Sequence, residues 1–409
     1  MPFLTLLRIP FTLLSLAILG TGGWLLWSWF QGEWVWGADG ALVRARDDWR
    51  LWLGGGLLAW SFLGRFVVVP LLARPGGPPS RAHRLDGQEV TGASGSTLYV
   101  ETSGPETGPV LILTHGWGLD STIWNCLRGP LAERFRIVAW DLPGLGRSRP
   151  AKSISLSAFA ADLRGLVEGM GRPVVLVGHS IGGMTIQTLA REHPDLFGRE
   201  VAGVVLLNTT HTNPLQTMVL SDLARALRWP LLEPMLRMTV WLQPLAWLSA
   251  WQSYLSGWAH VANRFGFGRY VTRSQLEHTT LLATRNPPGA QALGNLAMFR
   301  WDAGEGLARL SVPTLVLGGD LDLITRLEAS RTIATVAPAA RLEIIEGVNH
   351  MGFLERADVY GRQIAAFADT LTAAGKHVDR APRAPYSPPA AAAQDEAGPD
   401  LHVPIRPGS

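Results

Sequence analysis

The chain reads as an α/β protein: a mostly parallel, doubly wound sheet with an inserted helical cap and an N-terminal transmembrane helical hairpin. Three observations lead there. Between residues 85 and 371, short apolar runs alternate with segments of helical periodicity, a pattern that makes parallel sheets covered by helices on both faces. From His211 to about Met298 the alternation gives way to a helical stretch rich in tryptophan and proline. Two long apolar runs precede all of this.

The first run has no charged residue between Arg8 and Glu33, a window long enough to cross a bilayer as a helix. The second covers Leu51 to Ala73 and is interrupted only by Arg65. An arginine at mid-membrane costs about 2.5–3.5 kcal/mol on insertion scales, and less where it snorkels to the headgroups. Trp24, Trp27, Trp29, Trp34 and Trp36 close the first run, and Trp49 and Trp52 open the second. Together they suggest one aromatic belt. The expectation is a two-helix membrane anchor over residues 1–73. A single span and a buried extension are the alternatives. The first run is too long for a cleaved signal peptide and has no clear A-x-A site. Arg8, Arg74, Arg81 and Arg84 at the hairpin ends outnumber Arg44, Arg46 and Arg50 in its loop. That bias puts both ends, and the domain after them, on the cytoplasmic side of the inner membrane.

Composition excludes several classes. A length of 409 residues implies a core with additions. The net charge of +3 gives no argument for nucleic acid as a partner. Cys126 is the single cysteine, so no internal disulfide forms. His193, His211, His260 and His278 lack ligand spacing, and neither a metal nor another cofactor is expected.

Residues 74–84 read as a proline- and glycine-rich linker. A hairpin follows, with strands near Leu85–Thr91 and Ser96–Glu101. Further strands are expected at Val110–Thr114, Ile137–Trp140, Val174–Val177 and Val201–Leu207, with a helix at Ser121–Glu133. Leu156, Phe159, Leu163, Leu166, Val167 and Met170 recur at helical spacing and pack one face on the sheet. The first part of the core is thus 85–210, the cap 211–298 and the second part 299–373. That second part holds strands at Thr314–Leu317 and Arg341–Ile345 and helices at Arg326–Thr335 and Leu354–Leu371. Residues 374–409 lack periodicity and read as a disordered tail.

The chemistry centres on Gly178-His179-Ser180-Ile181-Gly182, between a strand and a helix. A Gly-x-Ser-x-Gly turn there is so tight that side chains two residues before and after the serine would collide. It holds the Ser180 hydroxyl out at a strand end, with the Ile181 N–H aimed where negative charge would develop. A serine needs a base, and the base a carboxylate to orient it. Gly318-Gly319-Asp320-Leu321-Asp322 and Glu346-Gly347-Val348-Asn349-His350 follow later strands and supply both, with either aspartate as the acid.

Residues 85–371 resemble the α/β-hydrolase fold family, in its esterase- and lipase-like branch. The motifs that carry the likeness are His115-Gly116-Trp117-Gly118, Asp141-Leu142-Pro143-Gly144-Leu145-Gly146-Arg147-Ser148, Gly178 to Gly183, Gly319 to Asp322, and Gly347 to His350 with Phe353-Leu354-Glu355. The resemblance implies Ser180 as nucleophile, His350 as base, Asp322 as acid ahead of Asp320, and the N–H groups of Trp117 and Ile181 as oxyanion donors. His115 and Asp141 are expected to shape loops, and His179 to pack beside the turn. The expected reaction is hydrolysis of a small-molecule carboxylic ester or lipid. C–C bond hydrolysis, cofactor-free haloperoxidase or perhydrolase chemistry, and a non-catalytic membrane module are the alternatives. Relatives that act as dehalogenases or epoxide hydrolases place aspartate where this chain has Ser180.

No charged residue lies between Arg237 and Arg264, where Trp241, Trp247, Trp251 and Trp258 cluster. A membrane crossing there would separate Ser180 from Asp322 and His350, so the stretch is expected to be a cap. Trp247 and Trp251 are its candidate substrate-binding residues, under a roof that favours apolar acyl chains and that rests against the bilayer.

Overall fold

The computed structural model describes residues 2–77, 79–150 and 153–375. Pro78 of the expected linker and the expected tail from residue 376 lie outside the described residues.

The N-terminal segment holds α1 (Pro2–Gln31), a small antiparallel hairpin of β1 (Glu33–Trp36) and β2 (Leu42–Ala45), then α2 (Asp48–Leu63) and α3 (Arg65–Leu72). α1 and α2 lie side by side where glycine meets glycine: a Cβ on Gly54 would stand 3.0 Å from the Gly22 carbonyl oxygen. Small residues let helix backbones approach this closely. Leu7–Gln31 is long and apolar enough to cross a membrane, and 17% of its most apolar window is buried.

The second apolar run departs from the single spanning helix expected. It breaks at Gly64, and α3 turns 59° away from α2. The cap explains the turn. A Cβ on Gly64 would lie 2.4 Å from the Ser256 carbonyl oxygen, and Arg65 Nη1 donates to Tyr254 Oη (2.7 Å) and Glu277 Oε1 (2.8 Å). A guanidinium inside an apolar run needs a partner, and here the partner is a carboxylate of the cap rather than a lipid headgroup.

The core sheet has eight strands. Four are β3 (Gly87–Thr91), β4 (Thr97–Ser103), β5 (Val110–Thr114) and β6 (Arg136–Trp140). The others are β7 (Val174–His179), β8 (Val201–Leu207), β9 (Thr314–Gly319) and β10 (Ala340–Ile345). Their spatial order is β10-β9-β8-β7-β5-β6-β4-β3, parallel except where β4 pairs antiparallel with β3 and β6. β5, β7 and β9 are buried along their whole length, which is why they read as continuous apolar runs rather than alternating ones. Alternate side chains serve opposite faces. Ile112, Leu176, Val204 and Val316 pack toward α5 (Leu156–Gly169) and α6 (Ile181–Glu192). Leu111, Val175, Val205 and Leu315 join the opposite cluster with α4 (Asn125–Ala132), where Leu127 sits. The helix expected at Ser121–Glu133 is a 3₁₀ turn, Ser121–Trp124, running into α4.

The cap comprises α7 (Pro214–Thr217), α8 (Ser221–Leu227), α9 (Glu233–Trp241), α10 (Gln243–Leu255), α11 (Trp258–Arg264), α12 (Arg273–Arg285) and α13 (Pro288–Met298). Its two ends meet where the Ala303 N–H donates to the His211 carbonyl oxygen at 2.9 Å. After it come α14 (Leu327–Val336), α15 (Gly352–Glu355) and α16 (Ala357–Gly375), which brings Tyr360, Ile364 and Phe367 into the second core cluster. The cap and the N-terminal segment are packed together. Ser15 Oγ donates to Gln252 Oε1 (3.0 Å) and lies 2.7 Å from Ser256 Oγ, and Phe11 stacks on Trp258 with ring centroids 5.7 Å apart.

Candidate active site

Ser180 sits between β7 and α6 with φ 54° and ψ −117°. An L-residue adopts this conformation only when its surroundings enforce it. The two flanking glycines leave the necessary room. A Cβ on Gly178 would stand 2.5 Å from the Gly182 carbonyl carbon, and one on Gly182 would stand 2.2 Å from the Thr114 carbonyl oxygen. The steric argument made from sequence therefore describes this turn.

The loop after β10 carries His350 beside that turn. His179 Nε2 donates to the His350 carbonyl oxygen at 3.0 Å, and the two imidazoles pack with centroids 4.9 Å apart. His350 Nδ1 lies 3.1 Å from Asp322 Oδ2 and 3.2 Å from Asp322 Oδ1. A carboxylate only accepts, so Nδ1 carries the proton and Nε2 the lone pair. Nε2 is buried and has no hydrogen-bond partner among the described residues.

Asp322 is held from several sides. Its Oδ1 accepts from the N–H groups of Ile324 (2.8 Å) and Thr325 (2.9 Å), and its Oδ2 from Thr325 Oγ1 (2.9 Å) and Asn208 Nδ2 (3.0 Å). Burial pushes this carboxyl up. The facing imidazole of His350 and the donors of Thr325 and Asn208 more than offset that, leaving it below the usual carboxylate range. Asp320 turns elsewhere: its Oδ1 accepts the Gly347 N–H at 2.7 Å.

Backbone N–H groups complete the arrangement. Ile181 begins α6 and Trp117 follows β5, the strand paired with β7. Neither N–H has a hydrogen-bond acceptor among the described residues. The Ile181 N–H lies at the N-terminus of a helix, where negative charge is favoured.

The remaining candidate residues make contacts within the fold. His115 Nε2 accepts the Leu142 N–H at 2.9 Å, and burial holds its ring below the usual histidine range, hence neutral. Asp141 accepts from the N–H groups of Ser121 (2.7 Å) and Arg147 (2.8 Å). Trp247 donates its indole N–H to the Thr284 carbonyl oxygen (2.9 Å), and Trp251 meets Tyr254 edge to face. The cleft above the Trp117 loop is lined instead by Leu4, Arg8, Asn263, Phe267, Gln291 and Met351 among others, and neither Trp247 nor Trp251 borders it.

Sequence reasoning missed Asn208, Thr325 and Tyr360. Tyr360 Oη donates to Asn208 Oδ1 at 2.8 Å, and Asn208 passes the constraint on to Asp322. The one signal was the polar run Asn208-Thr209-Thr210 directly after an apolar strand. No group of three or more His, Cys, Asp or Glu able to hold a metal occurs among the described residues.

The sheet order, the strained serine turn and the buried His350–Asp322 pair define a hydrolase. The chain belongs to the alpha/beta hydrolase family, whose model matches residues 111–363. Among characterised relatives it is 26% identical over 279 residues to a pimeloyl-[acyl-carrier protein] methyl ester esterase of Vibrio vulnificus, covering 66% of this chain and 98% of the relative. Its fold is similar to that of an esterase from Exiguobacterium antarcticum, with TM-score 0.57 and 18% identity over 69% of this chain and 100% of that one. It is also similar to a bromoperoxidase from Bacillus anthracis, with TM-score 0.56 and 20% identity over the same shares.

Proposed function

We propose that this chain is a membrane-anchored serine hydrolase that cleaves carboxylic esters through Ser180, His350 and Asp322 and an acyl-enzyme intermediate. One observation carries the reading: His350 has its protonated Nδ1 on Asp322 and its other nitrogen buried without a partner, next to the strained Ser180 turn. That nitrogen is the base. It takes the hydroxyl proton as Ser180 Oγ attacks the ester carbonyl, and the N–H groups of Trp117 and Ile181 receive the charge on the carbonyl oxygen. The imidazolium returns the proton to the departing alcohol. Water then loses a proton to His350, attacks the acyl-enzyme, and releases the acid and the Ser180 hydroxyl. The relative's activity on a pimeloyl methyl ester supports an ester substrate with an extended acyl chain.

The anchor is part of the proposal. α1 supplies the spanning helix, and α2 with α3 supplies a broken second element. Trp24, Trp27 and Trp52 are exposed on this segment, and Trp229, Trp241 (79% exposed), Leu245 and Leu248 are exposed on the cap. A surface this apolar suits a lipid interface. The catalytic domain lies on the cytoplasmic side in this reading. Arg74 and Arg81 still support that, whereas Arg84 belongs to the core, ion-paired with Asp120 (2.6 Å) and Asp141 (2.8 Å). Labelling with a fluorophosphonate probe, with Ser180→Ala as control, tests the nucleophile. An ester chain-length series tests the substrate class.

A further inference from the structure

The cleft beside the Trp117 loop is completed by the N-terminal helix. Leu4 and Arg8 of α1 line it together with Asn263, Gln291, Trp117 and Met351. Trp117 carries a proposed oxyanion donor, and Met351 is the chain neighbour of His350. An arginine that reaches this position from 172 residues before Ser180 is not a family feature of the core, because the model of the family matches only residues 111–363.

The electrostatics of Arg8 are incomplete. Its Nη2 donates to Asn263 Oδ1 at 2.6 Å. Asn263 is itself oriented, since its Nδ2 donates to Thr280 Oγ1 at 2.9 Å. Arg8 Nε is buried with no hydrogen-bond partner, and no carboxylate pairs with the guanidinium among the described residues. A half-buried guanidinium without a counter-charge is incompletely compensated. Its planar fork fits the two oxygens of a carboxylate or phosphate.

We propose that Arg8, held by Asn263, forms an anion subsite that takes a carboxylate or phosphate borne by the ester substrate, away from its scissile carbonyl. A guanidinium with no carboxylate partner among the described residues, lining the same cleft as Trp117, is the basis. The proposal rests on the ester-hydrolase reading and adds a substrate class to it: an acyl ester with a second, anionic end.

The test uses the full chain in neutral detergent with two substrates of equal acyl length, 4-nitrophenyl octanoate and 4-nitrophenyl hydrogen suberate. Wild type is expected to prefer the anionic ester. In Arg8→Gln the ratio of the two kcat/KM values falls about tenfold or more, mainly through KM, as loss of a charge-assisted hydrogen bond predicts. Arg8→Lys retains part of the preference. If the ratio is the same in wild type and Arg8→Gln, the subsite is overturned. A headgroup phosphate is the other source of such an anion. It would show as Arg8→Gln binding less tightly than wild type to vesicles with 20% phosphatidylglycerol but equally to neutral vesicles, which overturns the assignment to the ester substrate in favour of a lipid headgroup. Turnover of neither ester would sink the hydrolase reading alone. Calorimetric titration of suberate into Ser180→Ala then decides the subsite by itself: tenfold weaker binding on adding Arg8→Gln supports it, and equal binding refutes it.

Discussion

His179 donates its Nε2 proton to the main-chain oxygen of His350 across 3.0 Å. The residue that precedes the serine therefore holds the loop that carries His350, the proposed base. Burial, and then the neighbouring His350, push the His179 ring well below the usual histidine range, so it stays neutral. His179→Ala removes the bond and the packing on Phe353, whose ring lies 4.6 Å away. The expected result is a loss of about 2–4 kcal/mol of stability together with lower kcat. His179→Gln, able to keep the donor, should recover part of the kcat. Equal kcat in both variants would remove the positioning role.

The two neighbouring aspartates should respond very differently. Asp322→Asn deprives His350 of its charged partner and should reduce kcat by about 10³–10⁴-fold, as loss of an orienting carboxylate does. Asp320→Asn alters a side chain whose one hydrogen bond among the described residues is to the Gly347 N–H, and should change kcat less than about threefold. A crippling Asp320→Asn with a mild Asp322→Asn would reassign the acid.

His278 predicts a pH effect on stability. It lies 2.6 Å from Ser80 Oγ and 3.0 Å from Thr122 Oγ1, joining linker, core and cap. Burial pulls its pKa down to about 4. The unfolded chain, with histidine near 6.5, binds the extra proton first, so stability is full above about pH 6.5 and declines as pH falls toward 4. The Tm of wild type should drop over that window more steeply than that of His278→Gln. Parallel Tm profiles would contradict the assignment.

Membrane attachment is testable by alkaline carbonate washing. The full chain should remain in the pellet, and its recovery in the supernatant would refute the anchor. Deletion of residues 1–73 should release the protein but strip Ser15, Phe11 and Arg65 from the cap. The released form is expected to bind a hydrophobic dye and to self-associate. A monomeric, dye-silent truncation would show that the cap does not depend on the N-terminal helices.

Medium- and long-chain esters should outperform acetate. Trp247→Ser with Trp251→Ser should lower long-chain turnover more than short-chain turnover, by loosening α10 against α12 under the roof. A flat or acetate-favouring profile would move the assignment to small polar esters.

Much of the core was legible because local chemistry determines it. Buried parallel strands need continuous apolar runs, and the turn at Ser180 needs glycine at 178 and 182; both are visible one residue at a time. The choice between Asp320 and Asp322 was not settled by spacing, since it depends on which side chain the loop turns toward His350. Asn208 and Tyr360 were hidden because their partnership joins the end of β8 to α16, 152 residues apart. The bend at Gly64 was hidden for the same reason: it follows from Ser256 and Glu277, far along the chain.

The contact between Ser15 and Ser256 spans 241 residues. Loop closure over such a distance is entropically costly and slow. During synthesis α1 is made well before its partners α10 and α11, which emerge only after the serine turn. For that interval its apolar face must be held by something other than the finished protein. In the proposed membrane-anchored form a bilayer would do so, with α1 waiting at its surface as the template on which the cap is completed.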